Sequence, residues 1–306
     1  MEAVWGILPK TIAMAVQQLP SWRDGIEEIR IRVSRPLEVI ANGTARLLPY
    51  EVTKEDGVQL LNKLSRYSIY AVEEELKRGF MTIEGGHRVG LAGKVITEGG
   101  KVKAIRDVAS FNIRIAKEQV GIADPLIPYV YDGRWCHTMI IGSPQTGKTT
   151  LLRDVARLIS SGTERIPAQK VAIVDERSEI AGCVKGIPQF SFGPRLDVLD
   201  ACPKAEGMMM MIRSMSPDVI IVDEIGREED SEAVLEAANA GVSVWTTVHG
   251  RSIKDVQQRP TLGSVMEQKV FERFIELTNI PHPGAIRRIL DASGTVLYEQ
   301  RTVVSR

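Results

Sequence analysis

One stretch of the chain spaces glycines, a lysine and a threonine in a way that suits phosphate binding. Residues 142–149 read GSPQTGKT, a match to the pattern of glycine, four residues, glycine, lysine, then serine or threonine. In such a loop backbone N–H groups surround nucleotide phosphates, the lysine contacts the outer phosphates, and the hydroxyl binds Mg²⁺. We therefore predict that the chain binds ATP or GTP through the following residues: Gly142, Ser143, Pro144, Gln145, Thr146, Gly147, Lys148, Thr149 and Thr150.

The flanking sequence indicates the elements that hold this loop. Residues 137–141 (HTMII) predict a short buried strand, and residues 150–160 repeat apolar side chains at helical spacing. A loop between a strand and a helix N-terminus receives the positive end of the helix dipole and unpaired N–H groups. This setting favours a phosphate-binding loop over an ordinary glycine-rich turn.

Two further apolar stretches end in pairs of carboxylates. Residues 219–224 read VIIVDE, and residues 171–176 read VAIVDE. Because the carboxyl ends of parallel strands meet at one edge of a sheet, we expect both pairs to lie near the phosphate loop. The alternative for the second stretch is a strand end whose carboxylates pair with Arg177.

The two pairs supply candidates for the roles that phosphoryl transfer requires. One acidic group must hold the Mg²⁺ shell, and a polar group must orient the attacking water. Asp223 suits the first role beside the Thr149 hydroxyl, so we predict these two as metal ligands. Either Glu224 or Glu176 suits the second role, and the sequence leaves this choice open. A fourth apolar stretch ends in His249, a polar group placed where a γ-phosphate could be sensed, although a lone histidine is more often structural.

Composition restricts the class of protein. Lys and Arg number 39, as do Asp and Glu, so no global basic field attracts nucleic acid or an anionic membrane. The three cysteines show no C-x-x-C spacing, which argues against a disulfide framework or a zinc site. No apolar run approaches the length of a membrane span, and the N-terminus lacks the order of a signal peptide. We expect a cytoplasmic protein that a partner protein could hold at a membrane.

The pattern of elements divides the chain into two domains. Residues 1–117 predict a small α+β domain, in which Asn42-Gly43 lies between an alternating stretch at 28–33 and residues 44–48, which is typical of a hairpin. Residues 118–133 carry prolines with little periodicity and predict a linker. In residues 134–306, short apolar runs alternate with helical stretches, which is typical of an α/β fold with a mostly parallel sheet.

The order of these motifs resembles that of the secretion ATPase superfamily, the hexameric motors of type II and type IV secretion and pilus assembly. In that family the phosphate loop is followed by an acidic strand, then by a P-D…E-I-R strand, then by a strand ending in T-x-H. The matching segments here are Asp175-Glu176, Pro217-Asp218 with Asp223-Glu224-Ile225-Gly226-Arg227, and Thr246-Thr247-Val248-His249. Asp223 departs from the pattern, since many members have Gly there, and the tetracysteine zinc insertion of some members is absent from the sequence.

A narrower resemblance comes from residues 193–217, whose sequence is similar to that of the stage III sporulation protein AA family. This family is the ATPase of the mother-cell export complex in endospore-forming bacteria. The resemblance implies a RecA-like P-loop ATPase domain preceded by a smaller α+β domain. It also implies a hexameric, ATP- and Mg²⁺-dependent motor that docks on membrane-embedded export proteins and powers the channel from mother cell to forespore. The implied catalytic residues are Glu176, Glu224 and His249, and the arginines that could act on a neighbouring subunit are Arg88, Arg106, Arg114 and Arg227.

Two rival functions fit part of the sequence. The first is a nucleic-acid-directed P-loop ATPase, because a related group shares the Pro203–Gly207 stretch. A basic tail is lacking and aromatic residues make up only 5% of the chain, so we expect no nucleic-acid partner. The second is an assembly factor that binds ATP but hardly hydrolyses it, against which intact Lys148, Thr149, Glu176 and Glu224 argue.

Overall fold

The structure is a computed structural model that describes residues 1–19, 25–68 and 72–300. The chain divides into two compact units, Met1–Lys117 and Glu118–Arg306. In the part of the chain that is described, no helix has the length and apolarity to cross a membrane.

The first unit combines helices with an antiparallel sheet. Its helices are α1 (Glu2–Ile7), α2 (Lys10–Gln17), α3 (Lys54–Leu64) and α4 (Glu73–Arg78). Its strands are β1 (Ile26–Arg32), β2 (Pro36–Ala41), β3 (Thr44–Glu51), β4 (Phe80–Ile83), β5 (His87–Glu98) and β6 (Lys101–Arg114), in the order β3-β2-β1-β6-β5-β4. A hairpin with its turn at Asn42-Gly43 is present, and both residues adopt the positive φ angles that a tight two-residue turn requires. Its first strand is β2, whereas the predicted stretch at 28–33 belongs to β1, which pairs with β2.

The second unit is an α/β domain built on a mostly parallel sheet, as the sequence predicts. Its helices are α5 (Ile127–Val130), α6 (Lys148–Ser161), α7 (Lys204–Met215), α8 (Glu228–Asn239), α9 (Ile253–Gln257) and α10 (Gly263–Glu267). Its strands are β7 (Thr138–Gly142), β8 (Val171–Asp175), β9 (Leu196–Asp200), β10 (Val219–Val222), β11 (Ser243–His249), β12 (Arg273–Thr278), β13 (Ala285–Asp291) and β14 (Val296–Glu299).

These strands follow the order β14-β13-β12-β7-β11-β10-β8-β9. The pairings from β12 to β9 are parallel, and β13 and β14 add an antiparallel edge. Every residue of the central strands β7, β8 and β10 is buried, and most are apolar, because both faces of the sheet are covered. Ile221 of β10 packs on one face with Trp245 and the apolar side of α6, whereas Ile220 and Val222 pack on the other with Met208 of α7.

The stretch 118–133, which the sequence analysis assigns to a linker, lies within this second unit. It contains the helix α5, and Ala123, Leu126 and Val130 are buried in the core beside α6. The prolines that suggested a loop occupy the first turns of short helices, where proline is tolerated because those N–H groups have no intrahelical partner.

Candidate functional site

The phosphate loop connects β7 to α6 at the carboxyl edge of the parallel sheet. Gly147 precedes the helix with a φ of +83°, in the left-handed region that favours glycine. A Cβ on Gly142 would lie 2.3 Å from the Thr146 hydroxyl oxygen, so a side chain does not fit there. Pro144 and Gln145 are exposed, while Thr149 and Thr150 are half-buried in the first turn of α6. The glycines therefore meet steric requirements of the predicted loop.

Lys148 is a buried cation at the centre of this loop. Its Nζ donates hydrogen bonds to the carbonyl oxygens of Gly142 and Ser143, each at 3.0 Å, and lies 3.2 Å from Nδ1 of His249. Burial lowers the pKa of Lys148, and the negative charges of Asp223 and Glu224 oppose that shift. The residues after β10 therefore act electrostatically on the loop lysine.

Asp223 and Thr149, the two predicted metal ligands, are in direct contact. The Thr149 hydroxyl donates to Oδ2 of Asp223 at 2.8 Å, and the Thr247 hydroxyl donates to Oδ1. Among the described residues no group of three or more His, Cys, Asp or Glu side chains could hold a metal. One hydroxyl and one carboxylate nevertheless fit Mg²⁺, which commonly takes one or two protein oxygens and completes its shell with phosphates and water.

Glu224 and His249 continue the same network. Oε1 of Glu224 lies 3.0 Å from Nε2 of His249, and Oε2 accepts a hydrogen bond from Arg177 at 3.3 Å. The backbone of Glu224 has a φ of +42°, and its N–H donates to the Thr247 hydroxyl at 2.9 Å. Both side chains are about one-third exposed, so they border solvent beside the loop.

Glu176 lies at the same sheet edge but has a different partner. It forms an ion pair with Lys204, at the start of α7. Within the described ranges no hydrogen bond joins Glu176 to the phosphate loop. The predicted alternative of a pair between this strand end and Arg177 is not what the structure shows, because Arg177 contacts Glu224.

Asp175, the last residue of β8, is buried and fixes the segment that follows. Its carboxylate accepts hydrogen bonds from the N–H groups of Glu179, Ile180 and Ala181 at 2.8, 2.9 and 2.9 Å. Burial raises the pKa of Asp175 to about 6, although the N–H donors act in the opposite direction. The role of Asp175 in this arrangement is to shape the loop that carries Glu176.

Sequence reasoning missed three features of this site. Thr247 bridges Asp223 and Glu224, and its only signal was its place in the T-x-H motif. No pattern in the sequence predicted the ion pair between Lys204 and Glu176. Gly284, whose N–H donates to the Thr146 carbonyl at 2.9 Å, lies so far along the chain from the loop that no local pattern connects them.

Comparison with known proteins connects the whole chain to one family. A sequence model of the family described as "Sporulation stage III, protein AA" matches residues 2–297. The chain is 56% identical over 299 residues to stage III sporulation protein AA of Bacillus subtilis (strain 168), with 97% of each protein covered.

Two solved structures have a similar fold. The ATPase DotB of Legionella pneumophila is 18% identical with a TM-score of 0.57, and the match covers 82% of this chain and 71% of that one. The pilus retraction motor PilT with bound ADP is 16% identical with a TM-score of 0.57, covering 86% of this chain and 76% of that one. At these identities the likeness shows a shared fold.

Proposed function

This chain belongs to the family of stage III sporulation protein AA, and from that premise we propose that it is a Mg²⁺-dependent ATPase that works as a ring motor. In this proposal it docks from the cytoplasm of the mother cell onto a membrane-embedded export complex and powers the channel to the forespore. The ring is a hexamer of identical subunits, and membrane attachment comes from the protein partners. The unit Met1–Lys117 and the α/β unit that begins at Glu118 are proposed as its working parts.

One observation carries the proposal: a hydrogen-bonded network joins the phosphate loop to the ends of β10 and β11. Thr149 contacts Asp223, Thr247 contacts Asp223 and the Glu224 N–H, and His249 lies between Glu224 and Lys148. A simple nucleotide-binding site needs the loop alone, whereas hydrolysis needs carboxylates placed beside it. This network therefore supports catalysis more than binding without turnover.

Each residue of the network has a proposed role. Lys148 and the loop N–H groups bind and orient the phosphates, and Thr149 and Asp223 would hold Mg²⁺. When bound, the ion neutralises charge on the phosphate oxygens. Glu224 orients the attacking water and accepts its proton, and Thr247 holds Glu224 and Asp223 in register. His249 contacts Glu224 and Lys148, so it can respond to the charge at the γ-phosphate position.

The test is steady-state ATP hydrolysis measured against protein concentration, with molecular mass determined by light scattering in the same samples. We expect turnover per subunit to rise as a hexamer-sized species forms, and Lys148→Ala to abolish turnover. Lys254→Ala is the matched control, since it removes an exposed lysine of α9 in the same unit. Concentration-independent turnover by a monomer would contradict the ring.

The same assay separates the rival functions. Single-stranded DNA is added at saturating concentration, and we expect the rate to stay unchanged because the chain has no net charge and few aromatic residues. Strong stimulation by DNA would instead favour the nucleic-acid-directed ATPase. Ring formation on ATP addition without measurable turnover would favour an assembly factor.

A further inference from the structure

We propose that the turn between β12 and β13, residues 279–284, forms one wall of the subsite for the nucleotide base, with Ile280 packing on the face of the base. The inference rests on the proposed binding of ATP at the phosphate loop. It assigns a function to a turn that none of the sequence motifs included.

The first argument is the position of the strands on either side of the loop. Strand β7, which leads into the loop, pairs with β11 on one side and with β12 on the other. The carboxylate and histidine candidates for γ-phosphate chemistry all lie on the β11 side of β7, namely Glu176, Asp223, Glu224 and His249. A nucleotide whose γ-phosphate points to that side must extend its nucleoside in the opposite direction, toward the carboxyl end of β12.

The second argument is direct contact between the turn and the loop. The Gly284 N–H donates to the Thr146 carbonyl at 2.9 Å. A Cβ on Gly147 would lie 3.1 Å from both Cα and N of Gly284, so the two backbones approach closely without intervening side chains. Because β12 runs parallel to β7, the turn that follows β12 stands at the same edge as the phosphate loop. The turn is therefore within reach of a ligand held by the loop.

The third argument is the chemistry of the turn. Ile280 is 77% exposed, although it is a large apolar side chain beside a polar site. Single exposed apolar residues are common, so exposure by itself means little. Nucleotide sites, however, are lined mainly by apolar side chains that cover the flat face of the ligand. An aliphatic side chain covers that face without hydrogen bonding to the edge of the base, and we therefore expect Ile280 to contribute equally to ATP and GTP binding.

The experiment compares a nucleotide with a probe that has phosphates but no base. Binding of ATP, GTP and inorganic tripolyphosphate is measured by calorimetry on the full chain and on Ile280→Ala. We expect the Kd for ATP and for GTP to rise roughly tenfold because apolar contact with the base is lost. The Kd for tripolyphosphate should stay unchanged. Ile187→Ala is the matched control, since Ile187 is 66% exposed on the same unit.

Three results would overturn the inference. Unchanged ATP affinity in Ile280→Ala would exclude the proposed contact between Ile280 and the base, but it would not contradict the proposed ATPase activity. An equal loss for ATP and tripolyphosphate would mean that Ile280 acts only through the phosphate loop. A change in molecular mass by light scattering with unchanged affinity would show that Ile280 contacts another copy of the chain. If the unmodified protein bound neither ATP nor tripolyphosphate, the proposed function itself would fail, which is a distinguishable outcome.

Discussion

At the scale of single residues, the two glutamates that could orient the attacking water lie in different surroundings. Glu224 contacts His249, whose other ring nitrogen lies 3.2 Å from Lys148, so it shares a network with the phosphate loop. Glu176 forms an ion pair with Lys204. Lys204 lies at the start of α7, so this ion pair does not connect Glu176 to the phosphate loop. The geometry therefore supports Glu224 as the group that acts on water.

We predict that Glu224→Gln lowers kcat by about 100-fold or more, whereas Glu176→Gln lowers it by less than about tenfold. Gln keeps the size of the side chain but cannot accept a proton from water. The measurement is steady-state ATP hydrolysis, with ATP affinity determined in parallel to separate binding from chemistry. We expect similar Kd values for both variants.

Glu206→Gln serves as a control for this pair of variants, because it removes one negative charge from the exposed side of α7. It should hydrolyse ATP at the normal rate. A larger loss in Glu176→Gln than in Glu224→Gln would reverse our assignment and give the water-orienting role to the carboxylate after β8.

At the scale of elements, the segment after β8 depends on one buried carboxyl group. Asp175 accepts three N–H hydrogen bonds from residues 179–181, and burial raises its pKa from an ordinary 3.8 to about 6. Between these two pH values the folded chain binds more protons than the unfolded chain. The contribution of Asp175 to the free energy of unfolding therefore falls as pH rises from about 4 to about 6, and it levels off above that range.

This linkage predicts a change in pH dependence for Asp175→Asn. Asn cannot ionise, so the part of the pH dependence that Asp175 causes, on the order of 2 to 3 kcal/mol, should disappear. Hydrogen exchange of peptides covering residues 171–184 would measure the opening free energy from pH 4.5 to 7. Asp218→Asn provides a comparison at a half-exposed carboxylate on the same unit. Equal pH dependence in the Asp175 variant and the unmodified protein would contradict the assigned pKa.

Local elements of the α/β unit could be predicted from the sequence because apolar periodicity determines them. The predicted strand at 137–141 corresponds to β7, and the predicted helix at 150–160 corresponds to α6. The helix begins earlier than its apolar pattern, at Lys148, because the left-handed Gly147 ends the loop immediately before it. Periodicity marks the buried face of a helix, and the first turn of α6 faces the ligand site instead of the core.

Contacts between distant parts of the chain could not be predicted in this way. The pairing of Glu176 with Lys204 and the contact of Gly284 with Thr146 depend on how loops from separate strands meet at one edge. The spacing of residues in a single sequence does not predict contacts between loops that are far apart along the chain. Local patterns therefore sufficed to predict the loop between β7 and α6 and the acidic strand ends, whereas the different partners of Glu176 and Glu224 are visible only in the structure.

At the scale of the whole molecule, the proposed ring requires a cation from one subunit to act on the nucleotide of its neighbour. Such a guanidinium must be available to an external ligand. The guanidinium carbon of Arg88 lies 3.7 Å from the centre of the Phe80 ring. The Nε atom of Arg114 lies 3.7 Å from Oε1 of Glu28. Arg106 is exposed and, within the described part of the chain, forms no ion pair. Arg106 is therefore the first candidate from the antiparallel-sheet unit, and the exposed Arg227 is the candidate from the α/β unit.

Mixing two inactive variants tests this requirement directly. Lys148→Ala retains its arginines but cannot position a nucleotide, and Arg106→Ala retains its phosphate loop but lacks the cation. In a randomly mixed ring, half of the sites keep Lys148, and half of these have a neighbour with intact Arg106. We therefore expect an equimolar mixture to recover about a quarter of the wild-type turnover, because each active site is completed by a different chain.

The same mixture prepared with Arg227→Ala distinguishes a cation supplied by a neighbour from one supplied within the same chain. If Arg227 acts on the nucleotide of its own chain, every site in the mixture lacks either Lys148 or Arg227. No active site is then complete. The turnover of the mixture would then be no higher than that of the two variants measured separately. Affinity capture of an untagged variant by a tagged one must show that single rings contain both chains, since separate rings of each variant would give the same low rate. Mixed rings without recovery for any of the four arginines would contradict a shared active site, and hydrolysis would then have to be completed by residues of one subunit.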